Sequence, residues 1–215
     1  MSGDALLQMP LCLTVPGYNG SGPRHWQTLW EQSRPDCERV ELGMWSTPHR
    51  NHWVTKLDQA VRRAHAPIIL VGHSLGCHAI AWWAHLVGQP YGWPVVGALM
   101  VAPPYIDASS ADRLRKFGAA PPIALPFPSI LVASEDDPYA SLRQSRRMAV
   151  DWQCHFVDIG CYGHINADSG IGQWVEGQLI LERLIGVTSH SRHNPSVSPA
   201  ASTASGASPS ANQAS

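Results

Sequence analysis

The sequence predicts an α/β fold in which a mostly parallel, doubly wound sheet is covered by helices on both faces. Segments typical of strands alternate with segments typical of helices along most of the 215 residues. Several strand segments are continuously apolar, such as Ile68–Val71 and Val95–Val101. Runs of this kind are typical of strands that are buried on both faces of a parallel sheet. Strand followed by helix, repeated, is the pattern of a doubly wound architecture.

The elements follow one another in regular order. The helix predicted around "TKLDQAVRRA" shows the pattern that identifies the others, because Leu57 and Val61 lie four residues apart on one face and charged residues lie on the opposite face. The predicted strands are Leu11–Val15, Arg39–Leu42, Ile68–Val71, Val95–Val101, Ser129–Ala133 and Cys154–Asp158. The predicted helices are Arg24–Gln32, His52–His65, Leu75–Leu86, Ser141–Asp151 and Gly172–Leu184.

The end of the chain differs in composition from the rest. From Thr188 onward it consists mainly of Ser, Ala, Pro, Asn and Gly, with almost no apolar side chains to bury. A segment of this composition does not offset the conformational entropy lost on ordering. We therefore expect one domain over residues 1–187 and a disordered tail over residues 188–215.

Charge and composition exclude several classes of function. The formal net charge of −1 and the absence of charged blocks argue against a nucleic-acid-binding protein. The longest apolar runs are too short to span a membrane, and the N-terminal residues lack the pattern of a signal peptide. The five cysteines contain no Cys-x-x-Cys pair, and His49 and His52 have no clear third ligand. We expect a cytoplasmic protein with reduced thiols and neither metal nor cofactor.

The stretch "LVGHSLGCHAIAWWA" holds a candidate nucleophile. Ser74 follows a predicted strand, precedes a predicted helix and is flanked by Gly72 and Gly76. In this context Gly-x-Ser-x-Gly indicates a sharp turn that exposes a serine hydroxyl at the amino end of a helix. The alternative is that Ser74 is only a helix cap. A serine nucleophile requires a base and an orienting acid, so the interpretation depends on the rest of the chain.

The candidate acid follows the strand predicted at Ser129–Ala133. Three carboxylates occur there in "SEDDP", at Glu135, Asp136 and Asp137. Asp137 is the preferred acid, since it precedes a proline that favours an extended conformation in the loop. Glu135 and Asp136 remain competing acids. A solvated acidic turn is the alternative for the whole segment.

The candidate base is His164, in the glycine-rich segment that follows the last predicted strand. The order serine, acid, histidine is the order of the catalytic residues in α/β hydrolases. His164 would take the Ser74 proton, and Asp137 would orient the imidazole. His73 and His78 are rival bases, but a residue next to the nucleophile at such a turn directs its side chain away from it.

A candidate oxyanion hole follows the first strand, in "TVPGYNGSGPRHW". The backbone N–H groups of Tyr18 and Leu75 are the predicted donors. The alternative is an ordinary glycine-rich turn. Nucleotide binding is disfavoured, because the loop has neither Gly-x-Gly-x-x-Gly nor Gly-Lys-Ser/Thr.

Aromatic residues near these loops are candidates for the pocket wall. Most of the nine tryptophans are expected in the core, including Trp30, Trp83 and Trp174. His25 and Trp26 begin the helix after the predicted oxyanion loop, and Tyr139 lies next to the candidate acid. These three residues are predicted to line the pocket.

Five blocks together resemble a known family. They are "VPGYNGSGPRHWQTLWE", "VGHSLGCHAIAWWA", "VAPP", "ASEDDPYAS" and "GHINADSGIG". In this order they resemble the small α/β hydrolases of the retinoblastoma-binding protein nine and YdeN-like type, from about residue 10 to residue 185. The resemblance implies a compact serine hydrolase without a large cap domain. Matched by motif, it implies Ser74 as nucleophile, Asp137 as acid and His164 as base.

The predicted function is the hydrolysis of small acyl esters, or related acyl compounds, by a cofactor-free serine hydrolase. Members of the family it resembles act as esterases on small acyl esters, and the human member is named for a protein partner. The alternative is therefore a protein-interaction module on a hydrolase fold with little turnover. A complete set of serine, histidine and acid favours the enzyme, because a scaffold has no need of all three.

Overall fold

The protein is built around a six-stranded parallel sheet. The computed structural model describes residues 9–89 and 94–193. The strand order is β2-β1-β3-β4-β5-β6, and every neighbouring pair is parallel. The strands are β1 (Leu11–Val15), β2 (Cys37–Arg39), β3 (Ile68–His73), β4 (Val95–Val101), β5 (Ser129–Ala133) and β6 (His155–Asp158). This is the predicted architecture, and the fold is that of the α/β hydrolases.

The second strand is the one that sequence placed least well. The prediction was Arg39–Leu42, whereas the ladder to β1 pairs Cys12 with Cys37 and ends at Arg39. Val40 and Leu42 are buried, which explains their apolar character, but they enter the core from irregular chain after the strand. An apolar sequence pattern indicates buried side chains, and the buried residues here continue past the last residue that pairs with β1.

Six α-helices are found among the described residues; five connect successive strands, and the last follows the final strand. They are α1 (Trp26–Ser33), α2 (Arg50–Arg63), α3 (Leu75–Leu86), α4 (Asp112–Phe117), α5 (Leu142–Trp152) and α6 (Val175–His193). Five of them correspond to predicted helices: α3 has the predicted bounds, and the other four have shifted ends. The sixth, α4, was not predicted. It occupies the connection from β4 to β5, and no large cap is inserted among the described residues of that connection.

Each face of the sheet has its own apolar core. Along β3, Ile68 and Leu70 face one core and Ile69 and Val71 face the other. Helices α2, α3, α4 and α5 cover the first face, while α1 and α6 cover the second. The burial of both faces accounts for the continuously apolar strands in the sequence.

The last helix extends beyond the predicted domain boundary. Helix α6 runs to His193, so the segment predicted to be disordered from residue 188 begins inside a helix. Thr188 is buried, and its hydroxyl donates to the carbonyl oxygen of Ile185 at 2.9 Å. Residues 194–215 of the predicted tail lie outside the described residues. Within the described ranges, no helix has the length and apolar character needed to cross a membrane.

The topology brings the loops of interest together. Because all strands are parallel, their carboxyl ends lie at one edge of the sheet. The strand order reverses direction between β1 and β3, which pair directly from Leu11↔Ile68 to Val15↔Gly72. In open α/β sheets, ligands bind outside the carboxyl ends of the strands at such a reversal. The glycine loop after β1 and the serine turn after β3 lie on either side of it.

Candidate active site

Ser74 occupies the turn between β3 and α3 with an unusual backbone conformation. Its dihedral angles are φ 53° and ψ −126°, a region that residues with a side chain rarely adopt. Its N–H donates to the carbonyl oxygen of Val101 on β4 at 2.9 Å, which ties the turn to the sheet. The turn directs the hydroxyl out over the sheet edge, so the structure bears out the turn predicted from the glycine pattern.

Two glycines allow neighbouring backbone to approach this turn. A Cβ on Gly76 would overlap the carbonyl oxygen of Val15, an atom of the backbone that cannot move aside. A Cβ on Gly17 would lie 2.8 Å from the Cβ of Ser74 and 3.2 Å from the backbone nitrogen of Leu75. The glycines are therefore required for space, and they bring the loop after β1 against the serine.

The structure brings Ser74, His164 and Asp137 into one hydrogen-bonded chain. His164 Nε2 lies 2.8 Å from Ser74 Oγ, and His164 Nδ1 lies 3.0 Å from Asp137 Oδ2 and 3.1 Å from Oδ1. The two side chains are nearly buried, with 10% of His164 and 3% of Asp137 exposed. Since an ionised carboxylate only accepts, Nδ1 carries the proton and Nε2 is left to accept from the serine hydroxyl.

The neighbouring carboxylates have other contacts. Asp136 Oδ1 accepts from the hydroxyl of Ser134 at 2.7 Å and from the N–H of Gly163 at 2.7 Å. The Ser134 hydroxyl is the main reason that the pKa of Asp136 is lowered from its ordinary value. Glu135 is exposed and accepts from the thiol of Cys161 at 3.6 Å. Of the three candidate acids, Asp137 is the one bonded to His164.

The two rival histidines, His73 and His78, are hydrogen-bonded to backbone groups and not to Ser74. His73 Nε2 donates to the carbonyl oxygen of His164 at 2.9 Å. His78 Nε2 donates to Pro104 at 2.8 Å, and its Nδ1 accepts from the N–H of Ala120 at 3.0 Å. Burial lowers the pKa of His78 to about 4 and that of His73 well below 6.5. Both rings are neutral structural groups, and neither is bonded to Ser74.

The two predicted oxyanion donors lie beside Ser74. Leu75 is the first residue of α3, so its N–H has no acceptor within the helix. Tyr18 follows Gly17 in the loop after β1, and its N–H makes no hydrogen bond among the described residues. The loop itself is fixed, because Asn19 N–H donates to Trp45 at 2.9 Å and Gly20 N–H donates to Gly17 at 3.0 Å.

A pocket of about 250 Å³ opens over Ser74. His25 and Tyr139 line it, as predicted, and the Tyr139 ring centroid lies 4.5 Å from that of His164. The prediction for Trp26 was wrong. Its side chain is fully buried and its indole N–H donates to the carbonyl oxygen of Ile165 at 2.8 Å. Trp26 lies in the core because the first turn of α1 faces it, and its hydrogen bond to Ile165 supports the loop that carries His164 from the core side.

Sequence reasoning missed several residues of the pocket wall, among them Arg113, Leu114 and Asn166. Arg113 and Leu114 belong to the short helix α4, and Asn166 follows the candidate base by two residues. The block "GHIN" could have indicated Asn166. Nothing in the sequence marks Arg113, because an arginine in a short charged helix is typical of a solvent-exposed face. No group of three or more His, Cys, Asp or Glu side chains arranged for a metal is found in the described part of the chain.

Comparison with known proteins identifies a family for the chain and agrees with the fold. The chain matches the family model described as serine hydrolase over residues 12–183. The chain belongs to this serine hydrolase family. A YdeN-like hydrolase from Pectobacterium atrosepticum has a similar structure, with a TM-score of 0.74 and 28% sequence identity, over 84% of this chain and 92% of that chain. The resemblance seen in the sequence motifs is confirmed.

Two more distant structures share the fold. The ydeN gene product from B. subtilis has a TM-score of 0.65 at 19% identity, over 82% of this chain and 99% of that chain. Est1E from Butyrivibrio proteoclasticus, solved with ferulic acid bound, has a TM-score of 0.60 at 13% identity, over 90% of this chain and 93% of that chain. No curated protein sequence matches the chain.

Proposed function

We propose that this serine hydrolase cleaves small acyl esters through an acyl-enzyme intermediate on Ser74. The observation that carries the proposal is the continuous chain of contacts from Ser74 Oγ through the His164 ring to Asp137, with distances of 2.8 and 3.0 Å. A serine hydroxyl bonded to a neutral imidazole, which is in turn bonded to a carboxylate, is the arrangement that activates serine for attack on a carbonyl carbon.

The proposed reaction has two stages, acylation of Ser74 and hydrolysis of the acyl-enzyme, and His164 accepts and then returns a proton in each stage. Ser74 Oγ bonds to the carbonyl carbon while its proton passes to His164 Nε2, and Asp137 stabilises the imidazolium without taking a proton. The backbone N–H groups of Leu75 and Tyr18 stabilise the negative charge on the former carbonyl oxygen. When the C–O bond to the alcohol breaks, His164 protonates the departing oxygen. Water then attacks the acyl group by the same route, which releases the acid and restores Ser74.

The size of the pocket supports a small substrate. Its volume of about 250 Å³ lies below the range of roughly 300–1,000 Å³ typical of sites for drug-sized ligands. The connection from β4 to β5 lines the pocket through Pro104 and through Arg113 and Leu114 of the six-residue helix α4, with no larger element inserted in this described part of the chain. Short or exposed acyl groups therefore fit this site better than long lipid chains.

Labelling with a fluorophosphonate probe tests the nucleophile. The parent protein is expected to react at Ser74, and Ser74→Ala is expected to abolish labelling. Hydrolysis of esters of graded acyl length, with Ser74→Ala as control, then ranks the acyl groups. Absence of both labelling and turnover in well-folded parent protein would reject the enzyme and favour the protein-interaction module.

The acid has its own test. We expect Asp137→Asn to lower kcat by about three to four orders of magnitude, because the amide no longer holds the Nδ1–H tautomer of His164. Glu135→Gln removes the same charge two residues away and is expected to change kcat by less than about threefold, as surface substitutions do. Steady-state ester hydrolysis measures both. If Glu135→Gln or Asp136→Asn abolishes turnover and Asp137→Asn does not, the assignment of the acid is wrong.

We also propose that the protein works in the cytoplasm, on the strength of its cysteines. Cys12 and Cys37 lie opposite each other on neighbouring strands and are free thiols. Burial raises the pKa of Cys12 to about 12, so this thiol stays protonated. Such thiols suit a reducing compartment. Fractionation of cells that produce the protein tests the proposal, and recovery outside the cytoplasm would contradict it.

A further inference from the structure

Arg113 is held on the wall of the pocket that contains Ser74. Its helix, α4, is anchored by the buried side chains of Leu114 and Phe117, and the Phe117 ring centroid lies 5.3 Å from that of Trp53. The indole N–H of Trp82 donates to Gly118 at the end of the helix at 3.1 Å. Arg113 therefore projects from a fixed element, although α4 is short.

The guanidinium of Arg113 has no carboxylate partner among the described residues. Its carbon Cζ lies 4.5 Å from the ring centroid of Tyr18, which also lines the pocket. The other two basic residues of the helix share one carboxylate, since Arg115 and Lys116 pair with Asp112 at 3.3 and 2.7 Å. The stacked ring holds the guanidinium in place and leaves its N–H donors available.

The rest of the pocket wall offers donors and no carboxylate among the described lining residues. His25 Nδ1 accepts from the N–H of Gln27 at 3.2 Å, so the proton is on Nε2, a buried atom with no hydrogen-bond partner. Asn166 Oδ1 accepts from the N–H of Asp168 at 2.9 Å, which leaves its NH₂ group to donate. Arg113 supplies the one permanent charge of this lining, and that charge is positive.

We propose that the ester substrate carries a negatively charged group, a carboxylate or its equivalent, which Arg113 binds while Ser74 attacks the ester carbonyl. The inference rests on the proposed function and narrows its substrate class. A guanidinium matches a carboxylate with two parallel N–H donors, and a cation already stacked on an aromatic ring loses less conformational freedom when it binds. Arg113 determines specificity and takes no part in bond breaking.

Matched substrate pairs test this. One pair is 3-acetoxybenzoate and 3-acetoxybenzamide, which place the charge on the leaving group. The other pair is the monophenyl ester of adipic acid and its terminal amide, which place the charge on the acyl group. The measured quantity is the ratio of kcat/KM for the charged member to kcat/KM for the neutral member. We expect Arg113→Gln to lower this ratio by about fivefold in at least one pair, which is the upper end of what an exposed ion pair contributes.

Arg115→Gln is the matched control, because it removes the same charge from the same helix at a residue outside the pocket lining. It is expected to leave the ratio unchanged within about twofold, since an exposed charge away from the site is largely screened. Arg113→Lys should retain part of the preference, and added salt should reduce the preference of the parent. Equal ratios for the parent, Arg113→Gln and Arg115→Gln in both pairs would overturn the proposal. Failure of the proposed function looks different: neither pair is hydrolysed and the fluorophosphonate probe does not label Ser74, which removes this proposal as well.

Discussion

The two halves of the active site are positioned by different physical means. On the nucleophile side, backbone packing determines where Ser74 lies, because Gly17 and Gly76 leave no space between the turn and the end of β1. On the acid–base side, side-chain hydrogen bonds determine where His164 and Asp137 lie. The first half depends on steric exclusion, whereas the second depends on a set of individually modest bonds.

The acid–base side consists of two loops tied to each other. Ser134 Oγ accepts from the N–H of Tyr162 at 2.8 Å and donates to Asp136, which also accepts from Gly163. The loop after β5 thus holds the backbone directly before His164. Below it, Trp26 donates to Ile165 directly after His164. The base is fixed from both sides by groups that take no part in the proposed chemistry.

This difference implies that the two halves respond differently to substitution. Overlap with a neighbouring carbonyl cannot be relieved without moving a strand, so a small change on the nucleophile side should affect the whole domain. Loss of one hydrogen bond on the acid–base side should displace the base and leave the fold intact.

The largest effect is expected for Gly76→Ala. The added methyl group would overlap the carbonyl oxygen of Val15, so β1 and α3 must separate. We expect the free energy of unfolding to fall by at least about 3 kcal/mol, as in severe overpacking, together with loss of activity. Urea-induced unfolding followed by circular dichroism measures the change.

Gly186→Ala is the matched control for that prediction. Gly186 lies in α6, and a Cβ there would meet no heavy atom within 4 Å. The same substitution should raise stability by about 0.5–1 kcal/mol through helix propensity. A Gly76→Ala protein as stable as the parent would show that packing does not determine the serine turn.

A smaller effect, confined to activity, is expected for Asp136→Ala. It removes the acceptor for Ser134 and Gly163, so His164 loses part of its support. We expect kcat to fall by about 10- to 100-fold, since displacement of a catalytic group by about 1 Å has this cost. Asp136→Asn keeps one carbonyl oxygen and should recover part of the loss. Ester hydrolysis and urea unfolding, measured on the same preparations, separate activity from stability.

Glu135→Ala is the control, because it removes the adjacent carboxylate, whose one side-chain hydrogen bond among the described residues is from the thiol of Cys161. Its kcat should stay within about twofold of the parent, as for a surface substitution. If Glu135→Ala lowers kcat as much as Asp136→Ala does, the loop requires its overall charge and not this hydrogen bond.

The same difference explains how much of the site could be predicted. The nucleophile side, which depends on steric packing, can be recognised from a short motif, since Gly72, Ser74 and Gly76 stand together in the sequence. Its position after β3 follows from the apolar run that forms the strand. The arrangement of strand, turn and helix was therefore predictable, and the structure agrees with it.

The acid–base side, which depends on hydrogen bonds, has no short sequence motif that reveals it. Asp136 supports a loop that lies 27 residues away at Gly163, and a contact of that kind depends on which strands are neighbours in the sheet. Sequence reasoning therefore left Asp136 as a competing acid. It placed Trp26 in the pocket for a similar reason, because nothing local shows which face of α1 turns toward the core. Helix α4 and Arg113 were missed since a short charged helix has no apolar period to detect.

The smallest expected effect is a difference in stability between two substitutions of Ser74, and it measures the backbone strain at that residue. Ser74→Gly and Ser74→Ala both remove the bond to His164, so they differ chiefly in backbone freedom at φ 53°. We expect Ser74→Gly to be more stable than Ser74→Ala by about 1 kcal/mol, since strain of roughly 1–3 kcal/mol is relieved and part of it is offset by the flexibility of glycine in the unfolded chain. Urea unfolding of both variants gives the difference.

The same pair at Thr55 provides the reference. Thr55 is exposed in α2, a regular helix in which glycine should be less stable than alanine by about 1 kcal/mol. The prediction is thus a reversal of sign between positions 55 and 74. If alanine is the more stable residue at both, the turn stores no strain, and the position of Ser74 must then be attributed to the packing of Gly17 and Gly76 alone.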